Sequence, residues 1–244
     1  MRLVNECRDL GDDAAVWQGH LLAVLNRMAG ALIGTFGPIP LNPALASGFA
    51  DSQIRGNWPS ERSRVRQTNW MKNPDLKAHP GVLRFLNTPG DLLARTRCEL
   101  VADREWYAAP LVSDQFIPDG FDDGVIGRVV VPRAGCVALL TLVRSADDRP
   151  HPARYGRVLE CVLRELSPHL GRSLLLTNQP TRHGLTARQR DVLDSLLDGD
   201  SEKQTAARFG LHPTTVHDHV KRLYRHFGVN SRAELLAYFL RRFR

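Results

Sequence analysis

Residues 201–228 read SEKQTAARFGLHPTTVHDHVKRLYRHFG, and this stretch decides the fold of the last quarter of the chain. Ser201 and Gln204 make the pattern S/T-x-x-E/Q, in which a hydroxyl and an amide satisfy each other's free backbone donors at a helix start. Gly210 stands where that helix should stop. Pro213 suits the first position of a second helix, because its missing N–H would have no intrahelical partner there. Val216, Val220, Leu223 and Phe227 then recur at helical spacing. At roughly 100° per residue they fall within about 60° of one another. Thr214, Asp218, Lys221 and Arg225 take the opposite side, flanked by His217 and Arg222. One face of this helix should anchor to a core, and the other should present a basic, hydrogen-bonding row.

Only Gly210-Leu211-His212 separates the two helices. A short helix, a tight glycine turn and a longer helix with a polar outer face is the helix-turn-helix arrangement. An α-helix fits the major groove of DNA, where its outer side chains reach base edges. The plain alternative is a helical bundle with a solvated face, and charge helps to choose. The chain of 244 residues has a formal net charge of +7. Residues 181–244 hold 12 Lys and Arg against 7 Asp and Glu, so most of the excess lies in this segment, as a phosphate-binding surface requires.

Working outward, the same capping pattern recurs at Thr186–Gln189 and Ser231–Glu234, with Gly199 and Gly228 at the matching stops. Residues 184–244 should therefore be an all-α, four-helix domain. Its distinctive pieces are Leu185-Thr186-x-Arg188, Val192-Leu193, Gly199, Lys203, Ala206, Gly210-Leu211, Thr215-Val216-x-x-His219-Val220, Tyr224, Gly228-Val229 and Ser231-Arg232-Ala233-Glu234-Leu235. In these, residues 184–240 resemble the DNA-binding domain of the LuxR (NarL/FixJ, GerE) family of bacterial transcription regulators. The resemblance implies that the third helix enters the major groove and that the last contributes to dimerisation. It places base contacts at His217, Asp218 and Lys221, and phosphate contacts at Lys203, Thr214, Thr215, Arg222 and Arg225.

Two departures from the family pattern matter. His212 stands where Ser or Thr is usual, so that helix start should be capped less well. His217 replaces a common Lys, and Asp218 adds a carboxylate that can accept from cytosine N4 but repels phosphate. His219 lies on the flank of the apolar face and reads as structural. The histidines are poorly spaced for one ion, because His219 and His226 are two turns apart, roughly 10 Å. No metal or cofactor is expected.

The rest of the chain reads as an α+β domain, a short antiparallel sheet flanked by helices, over residues 1–176. A polar linker, TNQPTRH, follows at 177–183. Asp12 and Asp13 precede a helical run through Val16, Leu21, Leu25, Met28 and Leu32, ended by Gly37-Pro38-Ile39-Pro40. Proline punctuation suggests short helices in 43–54, 60–71 and 80–87. Val125–Pro132 and Gly135–Val143 are β-branched runs separated by two residues, a hairpin or two adjacent strands. Thr96–Val101 is a weaker strand candidate. A long helix is expected over 152–176, where Leu159, Val162, Leu163, Leu166 and Leu170 follow the 3.6-residue period.

Several function classes have no support. The composition, 43% apolar and 24% charged, is that of a globular protein and not of a disordered or fibrous one. The four cysteines form no C-x-x-C pair, and they read as reduced, buried thiols. No segment has the length of a membrane span or the form of a signal peptide, which points to a cytoplasmic protein with no membrane partner. Asp12-Asp13 follows no clear strand and the βα alternation of a phosphoryl-accepting receiver is missing. No phosphate-binding loop, dinucleotide fingerprint or nucleophile elbow is present, so no enzyme is expected.

The remaining candidate for the N-terminal part is a sensor domain, of GAF or PAS type or of the related autoinducer-binding type, which its order of elements resembles. Trp58, Trp70, Trp106 and Tyr107 are the candidate ligand-binding residues, since aromatics with a few polar groups line small-molecule pockets. Plain core packing is the alternative. The expected function is a dimeric, sequence-specific regulator that binds double-stranded DNA and answers to a small effector, with RNA polymerase a further candidate partner. The alternative is a ligand-independent regulator whose N-terminal domain binds a protein.

Overall fold

The computed structural model describes residues 2–11, 13–40, 52–72, 74–176 and 185–243. The chain divides into two compact units, Met1–Asn178 and Gln179–Arg244. The expected linker at 177–183 lies outside the described residues, as does most of the expected helix at 43–54.

The first unit is an α+β layer structure around a five-stranded antiparallel sheet in the order β2-β1-β5-β4-β3. Its strands are β1 (Ile33–Pro40), β2 (Gln53–Gly56), β3 (Leu92–Thr96), β4 (Phe121–Val131) and β5 (Cys136–Ser145). The helices are α1 (Arg2–Asp9), α2 (Ala14–Ala29), α3 (Glu61–Lys72), α4 (Val82–Asn87), α5 (Arg97–Leu100), α6 (Asp103–Ala108) and α7 (Arg154–Leu166). A π-helical turn, Val112–Phe116, follows α6. The hairpin β4–β5 pairs Val129 with Ala138 and Val131 with Cys136, and Gly135 closes its turn at φ 62°.

Strand alternation sends successive side chains to opposite faces. Phe36, Val125, Val129, Leu140 and Leu142 share one face, buried with Trp17, Leu21 and Leu25 of α2 and Leu159, Leu163 and Leu166 of α7. Packing is closest at Gly127 of β4, where an added Cβ would meet Leu163 Cδ1 at 2.8 Å. Ile39, Ile126 and Leu139 point to the other face and pack with Val82 and Phe85 of α4. Arginines tie the layers together by capping helix ends. Arg144 donates to Ala29 O at the end of α2, at 2.9 Å, and buried Arg128 donates to Phe85 O, Leu86 O, Thr88 O and Gly90 O.

Several expectations need correction. The helical run does not continue to Leu32: Gly30 adopts φ 61° and caps α2, and Ile33–Pro40 is a strand between β2 and β5. The end of the expected helix 43–54, from Gln53, is likewise strand. Thr96–Val101 is not a strand. Thr96 ends β3, and Glu99 Oε2 accepts from Thr96 N and Oγ1 at 2.8 and 2.9 Å, starting α5. That is the T-x-x-E signal again, masked by neighbouring apolar residues. The helix expected over 152–176 ends at Leu166, because Pro168 cannot extend it and Gly171 turns the chain at φ 72°. The following residues fold back on α2, where Trp17 Nε1 donates to Leu175 O at 2.9 Å. Cys7 and Cys136 are buried thiols, and burial pushes them up to about 12 and about 11, but Cys98 and Cys161 are exposed.

The second unit is all-α: α8 (Ala187–Leu197), α9 (Glu202–Phe209), α10 (Pro213–Phe227) and α11 (Arg232–Phe243). Thr186 and Ser201 form the two reciprocal capping boxes that begin α8 and α9. At α11, Ser231 Oγ accepts from Glu234 N while Glu234 reaches back to Asn230 N. The common core holds Val192, Leu193, Leu196, Ala206, Val216, Val220, Leu223, Phe227, Leu235 and Phe239.

Candidate functional site

Two devices fix α9 against its neighbours in the second unit. Gly210, at φ 63°, closes α9 and lets Leu211 N donate to Ala206 O at 2.9 Å. Beneath the turn, Ser195 Oγ bonds Asp200 Oδ2 at 2.7 Å and Thr205 Oγ1 at 2.9 Å, so α8 is riveted to α9. Arg208 closes the network on Asp200 at 2.9 Å. Hydrogen bonds from Ser195 and Arg208 hold the Asp200 carboxyl below its usual range. His212 does serve as the N-cap of α10: its Nδ1 accepts from Thr214 N at 3.4 Å and meets Thr214 Oγ1 at 2.8 Å. An imidazole thus stands in for the usual hydroxyl, at a long donor distance.

Along α10, Val216, Val220, Leu223 and Phe227 are buried and Thr214, Thr215, His217, Asp218, Lys221, Arg222 and Arg225 are exposed. Lys203 is exposed in the first turn of α9. All eight residues expected at DNA therefore lie on the outside of α9 and α10. The ion pairs of Arg188 and Arg208 involve α8, α9 and the turn between them, and Lys221, Arg222 and Arg225 of α10 have no carboxylate partner among the described residues. His217 differs: its Nδ1 lies 3.0 Å from Glu202 Oε2 of α9. Spacing along one helix could not have shown that contact, because it crosses the turn. His219 is half-buried on the flank.

The first unit contains a cavity of about 130 Å³ between the α4-side face of the sheet and the helices that cover it. Ile33, Thr35, Ile126, Leu139 and Thr141 form its floor. Its wall is aromatic: Trp70, Trp106, Phe116 and His79 stand with ring centroids 5.7–6.4 Å apart. Of the four aromatics expected from sequence, Trp70 and Trp106 line this cavity. Trp58 instead packs edge-on to Phe121, and Tyr107 is exposed, with its hydroxyl on Asp122.

The polar lining was not legible in the sequence. Arg97 is 4% exposed and stands over the Trp106 ring at 5.7 Å. It donates Nη1 to Asp103 and turns Nε toward Asp123 Oδ1 at 3.4 Å. Its Nη2 is buried with no hydrogen-bond partner among the described residues. Asp123 in turn accepts from His151 N and faces His151 Nδ1 at 2.8 Å. Asp122 accepts from Trp106 Nε1 and Tyr107 OH, each at 2.8 Å. Gln67 lines the cavity and its Oε1 is buried without a donor among the described residues. His79 accepts from Gly81 N and Val82 N on Nδ1, at 3.2 Å each, so its ring proton sits on Nε2. Burial pushes that imidazole down to about 4.

The geometry of α9, the Gly210 turn and α10 defines the second unit as a helix-turn-helix domain. Residues 183–239 match the model of the luxR family of bacterial regulatory proteins (GerE), and this segment is a LuxR-family domain. The chain is 42% identical over 151 residues to the probable transcriptional regulatory protein SgaR of Hyphomicrobium methylovorum, covering 62% of this chain and 63% of that one. A 58-residue stretch is 41% identical to the probable transcriptional regulatory protein NarL of Mycobacterium tuberculosis, covering 24% of this chain and 27% of that one. These matches span under two thirds of either relative's length. Escherichia coli SdiA matches across 93% of this chain and 90% of its own, at a TM-score of 0.42 and 15% identity. Among the described residues no helix is long and apolar enough to cross a membrane.

Proposed function

We propose that this chain is a sequence-specific transcriptional regulator that binds double-stranded DNA as a dimer and is controlled by a small molecule in its N-terminal unit. The observation that carries this reading is the exposed row of α10, set opposite its buried apolar stripe within a LuxR-family helix-turn-helix. His217, Asp218 and Lys221 face base edges in this reading. Lys203, Thr214, Thr215, Arg222 and Arg225 hold phosphates, by charge or by hydroxyl donation. A dimer reads an inverted repeat with half-sites about one helical turn apart. RNA polymerase is a candidate partner of the bound dimer, and the cytoplasm its compartment.

The aromatic-lined cavity supports an effector over a protein-binding role for the first unit, which a filled core would have favoured. Control is then a population shift, in which the effector stabilises the dimer arrangement that matches the operator. The test is selection of bound DNA from a random pool, with and without cell extract. Enrichment of an inverted repeat that sharpens with extract is expected. A pool that stays random under both conditions overturns the DNA reading.

A further inference from the structure

The cavity of the first unit restricts its occupant in size, charge and hydrogen bonding, and the identity of that occupant rests on reading the cavity as the effector site. Size comes first. An apolar cavity of about 150 Å³ takes up benzene, so a space of about 130 Å³ suits a single ring with a small substituent. The aromatic wall provides faces for such a ring.

The lining also restricts charge. Its only cation among the described residues is Arg97, which already meets Asp103 and Asp123, and Asp122 is a further carboxylate on the wall. Along the lining itself one guanidinium stands against two carboxylates, Asp122 and Asp123, an excess of negative charge. An anionic ligand would bring a further negative charge against Asp122 and Asp123, which already outnumber the one guanidinium of the lining, a costly arrangement. A cationic ligand would face the guanidinium, which already occupies the Trp106 face. An uncharged ligand avoids both costs.

Hydrogen-bonding capacity is the third constraint. One lining donor, Arg97 Nη2, is buried without an acceptor among the described residues. Two lining acceptors have no hydrogen-bond donor among the described residues, Gln67 Oε1 and Asp123 Oδ1; the latter already faces Arg97 Nε at 3.4 Å, which leaves Gln67 Oε1 for a ligand. Buried polar groups are almost always satisfied, so a ligand is expected to complete these. We infer that the cavity takes an uncharged single-ring molecule bearing a carbonyl beside an N–H or O–H, the carbonyl accepting from Arg97 and the neighbouring group donating to Gln67.

Four probes of matched size separate the terms: benzamide, acetophenone, benzoate and benzylamine. Each is titrated into the full chain, followed by tryptophan fluorescence and melting temperature. Benzamide should bind saturably, and about tenfold more tightly than acetophenone, which keeps the carbonyl but has a methyl in place of the amide N–H₂. Gln67→Leu should reverse that order while leaving the melting temperature of the free protein nearly unchanged. Arg97→Lys should weaken benzamide and acetophenone alike. Benzoate or benzylamine binding more tightly than benzamide overturns the uncharged class but keeps the cavity as an effector site. Equal binding of benzamide and acetophenone to the native chain overturns the role of Gln67. If none of the four binds, the effector reading of the cavity fails with the inference.

Discussion

His217 Nδ1 and Glu202 Oε2 lie 3.0 Å apart, joining the exposed face of α10 to the first turn of α9. A carboxylate can only accept, so in the neutral imidazole the proton is on Nδ1 and Nε2 is the acceptor. An acceptor there matches the exocyclic amino group of adenine or cytosine in the major groove. If His217 reads a base, as proposed, Glu202 is its positioning residue.

That arrangement predicts a base preference. DNA selected by the native chain at pH 8 should carry adenine or cytosine at one position of each half-site. Glu202→Ala frees the ring and should blur that position while the rest of the site is unchanged. His217→Ala should relax the same position, costing about 1–3 kcal/mol against the preferred base. A selected motif identical for all three proteins removes His217 from base reading.

Lys221 sits mid-row on the exposed side of α10, one position from buried Val220. Lys221→Ala should weaken specific binding by about 1–3 kcal/mol in gel-shift titrations at fixed salt. Arg225→Ala should weaken binding to all sequences alike and lower the salt slope by about 0.9. Unchanged affinity in the first, or unchanged slope in the second, refutes the assignment concerned.

His79 should make the first unit sensitive to acid. Its folded value is about 4, below the 6.5 of an ordinary histidine, because burial disfavours the charged ring. Between these values the unfolded chain binds more protons than the folded one, so stability rises with pH. The contribution is complete above about 6.5 and is lost as the pH falls toward 4. The loss amounts to about 3 kcal/mol at most. His79→Asn keeps an acceptor for Gly81 N and Val82 N but cannot titrate. Its chemical-denaturation stability should therefore fall less between pH 7 and 4.5 than that of the native chain, and parallel curves would exclude His79 as the source.

Gly127 makes room for α7 on β4. A Cβ there meets Leu163 Cδ1 at 2.8 Å and Leu159 Cδ2 at 3.1 Å, so Gly127→Val should cost about 1–3 kcal/mol by overpacking. Urea unfolding followed by the tryptophans measures it. Gly127→Ala should cost less, since its neighbours are the mobile ends of leucines.

The helical unit was legible because its signals are local. Capping boxes, glycine stops and a 3.6-residue apolar stripe act within one or two turns, and they outlined α8, α9 and α10 before any packing was known. The hairpin β4–β5 was legible for the same reason. Pattern and fold parted where a neighbour in space overrode the local signal. Leu32 continues a helical period, yet Gly30 stops the helix before it and the chain enters a strand at Ile33, flanked by β2 and β5. The leucines of 170–176 suit a helix but fold back onto α2 after Pro168 and Gly171.

By itself, then, the sequence determined the helix-turn-helix and which side of α10 faces outward, since helical geometry converts spacing directly into direction. The tertiary structure alone decided the cavity. Gln67, His79, Arg97 and Asp123 come from four separate segments, and no pattern along the chain links them. It also decided that Trp70 and Trp106 share a wall while Trp58 and Tyr107 do not. Burial, charge balance and unmet hydrogen bonds are properties of what surrounds a side chain, and those surroundings exist only once the sheet and its covering helices have assembled.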